Sequence, residues 1–175
     1  RTASQLDPNH SYAYSALGKI YLKQNSIAQA AMSFKRAIEL NSGNSGAHFG
    51  LGSAYLAQGD VDEAIKELNT SLYQFPNSWP VRMKLGEAYQ KQGNLVAALK
   101  EYRQSIMIKP ENASPYLKIA EIRESKGDLE LALAELHSGL TQMPYNINLR
   151  QHIAEICLKL EKADQAISEY KTILK

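Results

Sequence analysis

The sequence is poor in the residues that disulfide-bonded and membrane-spanning proteins require. It has one cysteine, Cys157, so no disulfide bond can form within the chain. No uninterrupted apolar run approaches the ~20 residues that cross a bilayer, and we expect no membrane insertion. The first residues lack the basic and apolar segments of a signal peptide. A targeting signal could lie outside this stretch, so localisation stays open.

The sequence also lacks a dominant charge of one sign. Its 20 basic and 18 acidic side chains are interspersed along the chain, and the net charge is only +2. A protein that binds a nucleic-acid backbone needs a basic patch or stripe. We therefore expect no nucleic acid among the partners of this chain.

Residues suited to catalysis or metal binding are few and scattered. The four histidines share no metal-ligand spacing, and no nucleophile, base and orienting acid form a set. We expect Cys157 to be a small buried apolar residue rather than a reactive thiol. The sequence therefore predicts a protein that is not an enzyme, with no catalytic residues, no metal site and no cofactor. The histidines are His10, His48, His137 and His152.

What the chain does have is a period of 34 residues that runs without insertion or deletion. Column 20 is alanine in every row, and column 8 is always glycine or alanine. A fixed period of this length predicts a stack of helical units. The rows are 11–44, 45–78, 79–112, 113–146 and the incomplete 147–175, and residues 1–10 match the end of a preceding row. The alanines of column 20 are Ala30, Ala64, Ala98, Ala132 and Ala166.

These columns resemble the tetratricopeptide repeat, which has Leu-Gly at columns 7 and 8, Tyr at 11, Ala at 20, an aromatic at 24 and Pro at 32. The resemblance implies an all-α fold, an α-solenoid of antiparallel helical hairpins wound into a right-handed superhelix. Five consecutive repeats and the tail of a preceding one would form one continuous domain. The chain departs from the pattern at Ser42, Arg123, Cys157 and Ile173.

Local signals predict the same hairpins without the family. Gly93 suits the left-handed residue that ends a helix, and Asn94 suits the N-cap of the next one. Asp60, followed by Glu63, has the spacing of a capping box. Prolines at column 32 are expected to stop the second helix of each row; they are Pro76, Pro110 and Pro144.

Glycine at column 8 predicts close contact between the two helices of a hairpin. Gly18, Gly52 and Gly86 lie inside predicted helices, where glycine costs roughly 1 kcal/mol relative to alanine. Such a cost is understandable where a facing helix leaves no room for a side chain. Overpacking the facing alanine column, for example by Ala98→Leu, should cost about 1–3 kcal/mol.

The resemblance also implies a concave groove lined by columns 2, 5, 6, 9, 12 and 13 of the first helices. Column 5 contains a short apolar track flanked by polar ends, and columns 6 and 9 place a basic row beside an acidic one. Such a groove suits a peptide with apolar anchors and charges of both signs. The predicted partner-binding residues are Lys19, Phe49, Ser53, Met83, Lys84, Glu87, Leu117, Lys118 and Glu121.

An alternative interpretation explains the same residues as helix surface. Lys84 with Glu87, and Lys118 with Glu121, are i,i+3 pairs that stabilise a helix by only about 0.2–0.5 kcal/mol each. The apolar track could simply cover a junction between hairpins. Two functions known in the family are disfavoured, since neither the carboxylate clamp nor the asparagine ladder has its residues here. The clamp positions hold Ser15, Lys19, Gly50, Pro80 and Lys84.

The sequence therefore predicts a protein-interaction scaffold that holds a peptide segment or helix of a protein partner, whose identity is unknown. The alternative is an assembly module that self-associates through uncapped ends or packs on the rest of a larger protein, where it could be the recognition arm of an enzyme. Repeat arrays need polar terminal caps, and their lack leads us to expect a segment of a longer protein. The predicted self-association end consists of Ile167, Tyr170, Ile173 and Leu174.

Overall fold

A computed structural model describes residues 8–174, and this part of the chain is helical throughout, with no β-strand. Consecutive helices pack side by side as hairpins: α1 with α2, α3 with α4, α7 with α8 and α9 with α10. The ten helices are α1 Pro8–Lys23, α2 Ile27–Leu40, α3 Ser45–Gln58, α4 Val61–Gln74, α5 Trp79–Lys91, α6 Leu95–Ile108, α7 Ala113–Ser125, α8 Leu129–Gln142, α9 Ile147–Lys159 and α10 Ala163–Ile173. The predicted all-α fold of helical hairpins is confirmed.

The chain divides into two compact units, residues 1–98 and 99–175, with the division inside α6. The first unit has two apolar clusters, one around Phe34 and Leu51 and one around Leu68 and Leu85. The second unit is built around a cluster that includes Tyr116, Leu136 and Ile153. Each cluster is formed by neighbouring hairpins, as expected where stability comes from contacts between adjacent repeats.

The first helix of each row from the second onward begins at the first residue of that row: Ser45, Trp79, Ala113 and Ile147. The first row differs, because α1 begins at Pro8, within the segment that the sequence assigns to a preceding repeat. Proline suits the first turn of a helix, where its missing N–H is not needed. Residues 1–7 of that segment lie outside the described residues, and the repeat boundaries remain a prediction.

The turn between the two helices of a row has a left-handed residue at column 15. Gly59, Gly93 and Gly127 have φ values of +92°, +83° and +79°, which confirms the prediction for Gly93. Asn25 and Glu161 hold the same column in the first and last rows, with φ values of +58° and +60°. The turn geometry is therefore kept in rows that have no glycine there.

The predicted helix ends are confirmed in part. The Asn94 side chain accepts a hydrogen bond from the N–H of Ala97, at 3.1 Å, and α4, α6 and α8 end before the prolines of column 32. The capping box of Asp60 and Glu63 is wrong, because the Asp60 side chain makes no capping hydrogen bond. Asp60 is exposed, so water can satisfy the N–H groups that a capping side chain would otherwise bind.

The small residues of columns 8 and 20 lie where helices touch. A Cβ added to Gly18 would come within 2.8 Å of the Phe34 ring, and one added to Gly52 within 2.7 Å of Leu68 Cγ. The predicted close packing is therefore confirmed at these two positions. The alanines of column 20 are all fully buried: Ala30, Ala64, Ala98, Ala132 and Ala166.

From the second row onward, the side chain at column 4 forms a hydrogen bond between the first helix of the row and the loop that precedes it. In four rows this side chain reaches the backbone carbonyl six residues upstream, which is column 32 of the preceding row. The pairs are His48 Nε2 with Ser42 O at 3.0 Å, Arg82 Nη2 with Pro76 O at 3.0 Å, Tyr116 Oη with Pro110 O at 3.1 Å and Arg150 Nη2 with Pro144 O at 2.7 Å. The side chain at column 4 therefore makes an equivalent contact in all four rows, because histidine, arginine and tyrosine can each donate a hydrogen bond to a carbonyl oxygen.

Candidate functional site

Two adjoining pockets of the first unit include residues of the groove columns that the sequence indicates. The smaller has a volume of about 320 Å³ and is lined by Tyr12, Ser15, Ala16 and Lys19 of α1, together with residues at the start of α3. These α1 residues occupy columns 2, 5, 6 and 9. The larger, of about 630 Å³, lies between α3, the end of α4 and the start of α5.

The two pockets share three lining residues and form one continuous depression, here named the first groove. The shared residues are Ser45, Gly46 and Phe75. Phe75 follows the last residue of α4, is 62% exposed and lines both pockets. The apolar wall of the larger pocket also includes Phe49, Pro76, Trp79, Pro80 and Val81.

The first groove has one charged lining residue, Lys19, at the far side of the smaller pocket. Lys19 is exposed, and it forms no ion pair with any residue in the described part of the chain. The larger pocket has no charged lining residue at all. The groove therefore offers an uncharged apolar pocket at one end and a free ammonium group at the other.

Two polar side chains that line the first groove have an atom without a hydrogen-bond partner. Ser15 is 4% exposed, and its Oγ has no hydrogen-bond partner among residues 8–174. Gln74 donates from Nε2 to the carbonyl of Ser42, at 3.3 Å, while its Oε1 is unpartnered. The donation to a carbonyl fixes the orientation of the amide, because a carbonyl oxygen can only accept.

The structure separates the apolar residues predicted at column 5. Phe49 is half-buried and lines the first groove, and Leu117, in the second unit, is half-buried and lines a different pocket. Met83 is only 8% exposed, so it offers a partner little surface. Ser53 is half-buried, and its hydroxyl donates to the carbonyl of Phe49 at 2.8 Å.

The predicted charged rows are paired within their own helices. Lys84 donates to Glu87 at 2.6 Å, and Lys118 donates to Glu121 at 2.7 Å. All four side chains are partly exposed. These ion pairs confirm the i,i+3 contacts of the alternative interpretation, and they leave Lys19 as the predicted groove charge that is free to meet a ligand.

The second unit has a pocket of its own on the same columns. It has a volume of about 230 Å³ and lies between α7 and α9. Its lining residues are Leu117, Glu121, Asn148, Gln151, His152 and Glu155. Three carboxylates lie on or beside it, but Glu121 is held by Lys118 and Glu155 accepts a hydrogen bond from Gln151.

The third carboxylate, Glu124, joins two helices of the second unit. It accepts hydrogen bonds from His152 and, at 2.6 Å, from Lys159, both of α9. Burial alone would raise the pKa of Glu124, but the hydrogen bonds that it accepts from Lys159 and His152 outweigh this effect and lower the pKa overall. Glu124 is therefore ionised at neutral pH and serves to hold α7 against α9.

The predicted self-association end is an apolar face with few contacts. Ile167, Tyr170 and Leu174 are exposed, Leu174 by 85%, and Ile173 is half-buried. The same columns of α8 hold Leu133, Leu136 and Leu140, which α9 covers.

Cys157 is buried as predicted, and burial raises the pKa of its thiol. Within residues 8–174 there is no cluster of three histidine, cysteine or carboxylate side chains that could hold a metal ion. None of the ten helices has the length and apolar content that a membrane crossing requires.

The sequence did not indicate several residues of the first groove. Phe75 stands at column 31, which otherwise holds Asp7, Asn41, Lys109 and Met143, so the period gives it no signal. Trp79 stands at column 1, which holds Ser11, Ser45, Ala113 and Ile147 in the other rows, and Pro80 stands at groove column 2 without being singled out by the pattern. Their bulk beside Pro76 is the one local signal that could have identified them.

Comparisons with known proteins agree with this architecture. The family profile described as tetratricopeptide repeat matches residues 15–79, and a second one, described as TPR repeat, matches residues 86–127. A comparison with curated proteins finds no match.

Several solved structures share the fold. MamA is 20% identical with a TM-score of 0.76, and the alignment covers 94% of this chain and 90% of MamA. TTC0263, a thermophilic TPR protein of Thermus thermophilus, is 23% identical with a TM-score of 0.68, covering 94% and 90%. YrrB, described as a TPR protein with an unusual peptide-binding site, is 17% identical with a TM-score of 0.67, covering 92% and 83%. The period, the helical hairpins and the matched profiles together show that this chain belongs to the tetratricopeptide repeat family.

Proposed function

We propose that this chain is a non-catalytic scaffold that binds a segment of a partner protein on the groove columns of its first helices. The observation that carries the proposal is the position of the pockets. In each unit, residues of columns 2, 5, 6 and 9 line an open depression, while columns 8 and 20 are packed between helices. The fold thus leaves one set of columns free for contact.

The first groove is the stronger of the candidate surfaces. It combines exposed aromatic surface with a few polar groups, which is typical of a recognition site. The ion pairs of Lys84 and Lys118 within their own helices weaken the case for the remaining charged columns. The peptide-binding site of YrrB, a protein of the same fold, makes a peptide segment a reasonable ligand for this chain.

The test is affinity capture with the full chain and its Phe75→Asp variant from an extract of the source cells. Phe75 is largely exposed, so the substitution should leave the fold intact while placing a charge in the apolar groove. We expect proteins retained by the native chain to be lost from the variant. Mass spectrometry identifies the difference, and circular dichroism checks that both proteins are folded.

Tyr73→Asp is the matched control, because Tyr73 lies two residues earlier, is 88% exposed and does not line the groove. Its capture profile should equal that of the native chain. Equal profiles for all three proteins would show that the first groove is not the binding surface.

A second candidate function is assembly through the uncovered face of α10. The specific observation is that Ile167 and Leu174 are exposed at columns where α8 is covered by the next helix. A second copy, or another part of a longer protein, could take the place of that covering helix. In the second case the array could serve as the recognition arm of an attached enzyme.

A further inference from the structure

We propose that the first groove selects an extended peptide segment with an uncharged apolar side chain at one point and an acidic group a few residues away. This inference rests on the proposed function and specifies the class of partner. The apolar side chain would occupy the larger pocket, and the acidic group would pair with Lys19. Three properties of the groove lead to this assignment.

The first property is the wall of the larger pocket. Phe49, Phe75 and Trp79 supply aromatic surface, and Pro76 and Pro80 add apolar surface without a charge. A charged ligand group would lose its hydration here without meeting an opposite charge. An aromatic, aliphatic or proline side chain loses nothing by leaving water and gains contact with the rings. The larger pocket therefore selects an uncharged apolar anchor.

The second property is the single charge of the groove. Lys19 lines the smaller pocket, is exposed, and has no ion-pair partner within the described residues. Its counterparts at column 9 are Ser53 and Glu87, and Glu87 is already paired with Lys84. The first groove thus presents one unbalanced positive charge, which favours an acidic ligand group over a basic one. One lysine is too little for a nucleic-acid backbone, whose binding depends on several phosphate contacts.

The third property is the pair of unpartnered polar atoms, Ser15 Oγ and Gln74 Oε1. Gln74 Oε1 can only accept a hydrogen bond, so its natural partner is an N–H group. Both atoms are buried, and they belong to side chains that line the first groove. An extended backbone has free N–H and C=O groups along its whole length, whereas those inside a helix are already bonded to each other. The groove therefore suits an extended segment better than a helix.

The test is a selection from a random peptide library displayed on phage, with the full chain as bait. We expect the enriched peptides to share an apolar residue and an aspartate or glutamate at a fixed separation. Proline between these two residues should be tolerated, because proline is compatible with an extended segment but not with a helix interior. Binding of a synthetic consensus peptide is then measured by fluorescence anisotropy.

Charge variants of Lys19 give the decisive comparison. Lys19→Ala should weaken binding of the consensus peptide about two- to fivefold, the effect of losing an exposed ion pair. Lys19→Glu should weaken it further, and a peptide whose acidic residue is changed to lysine should recover affinity for this variant. Lys66→Glu is the control, since Lys66 is an exposed residue of α4 outside the groove. It should bind like the native chain.

The outcomes separate this inference from the proposed function. Peptides that depend on Phe75 but contain no acidic residue, or that ignore the Lys19 variants, would overturn the inference and keep the proposed function. A consensus that is broken by proline and needs helical spacing would also overturn it. Enrichment of no peptide that depends on Phe75 would contradict both.

Discussion

At the scale of single residues, Gly52 is a position where an added side chain would meet the backbone of the facing helix. A Cβ there would lie 2.7 Å from Leu68 Cγ and 3.1 Å from the backbone carbonyl oxygen of Ala64. The leucine could shift, but the carbonyl belongs to α4 and can move only with the helix. We expect Gly52→Ala to lower the free energy of unfolding by about 1–3 kcal/mol, the usual cost of overpacking. Urea denaturation followed by circular dichroism measures the change.

Gly46→Ala in the same helix is the control. A Cβ at Gly46 would meet only the Asn44 side chain, at 3.4 Å, which is an ordinary contact. Alanine is the better helix former by up to about 1 kcal/mol, so this variant should be as stable as the native chain or more stable. Equal stability of Gly52→Ala and Gly46→Ala would contradict the packing explanation of column 8.

The residues also show what the sequence could predict. Gly18 and Gly52 were predictable as contact points because glycine inside a helix has a cost that needs a structural reason. The burial of Met83 was not predictable, since an apolar residue at a groove column fits both an open track and a covered junction. Phe75 was missed because it lies just past the end of α4, where the helical period carries no information.

At the scale of the helices, column 4 shows how different residues keep one contact. His48, Arg82, Tyr116 and Arg150 each donate to the carbonyl at column 32 of the preceding row. This contact could not be predicted from the sequence, because the four positions share neither size nor charge. It becomes visible only when the donors and their common acceptor are placed together in space.

Tyr116→Phe tests this contact, because the substitution removes the hydroxyl donor and keeps the ring. The Tyr116 ring is 2% exposed and would keep its packing, while the hydrogen bond to the Pro110 carbonyl would be lost. We expect a loss of about 0.5–1.5 kcal/mol in the free energy of unfolding, the usual net value of one hydrogen bond. Tyr145→Phe, at a side chain 92% exposed, should cause no change. A native-like denaturation midpoint for Tyr116→Phe would show that the contact does not stabilise the hairpin.

At the scale of the whole molecule, the period determined much of the architecture in advance. The number of helices and most of their first residues follow from the rows, because glycine at column 15 and proline at column 32 mark helix ends in most rows. The start of α1 at Pro8 was not predicted, since proline fits both the stop of one helix and the first turn of the next. The period does not indicate what covers the last helix, α10, because the residues of a repeat reflect only the contacts between that repeat and the adjacent ones.

The exposed apolar face of α10 therefore bears on how whole molecules assemble. Ile167, Tyr170 and Leu174 of α10 repeat the columns of Leu133, Leu136 and Leu140, and Leu133 is only 6% exposed because α9 covers it. If a second copy covers α10 in the same way, the contact joins different surfaces of the two copies. Such head-to-tail contacts generate open chains unless the rotation closes a ring.

Sedimentation velocity over a range of concentrations tests this assembly. We expect the native chain to form species larger than a dimer as its concentration rises, and the Tyr170→Glu, Leu174→Lys double variant to remain monomeric. Both residues are exposed, so the variant should keep its helical circular-dichroism spectrum and its affinity for a groove-binding peptide. Tyr145→Glu places a charge at an exposed tyrosine outside α10 and should associate like the native chain. A native chain that stays monomeric throughout would exclude self-association through α10.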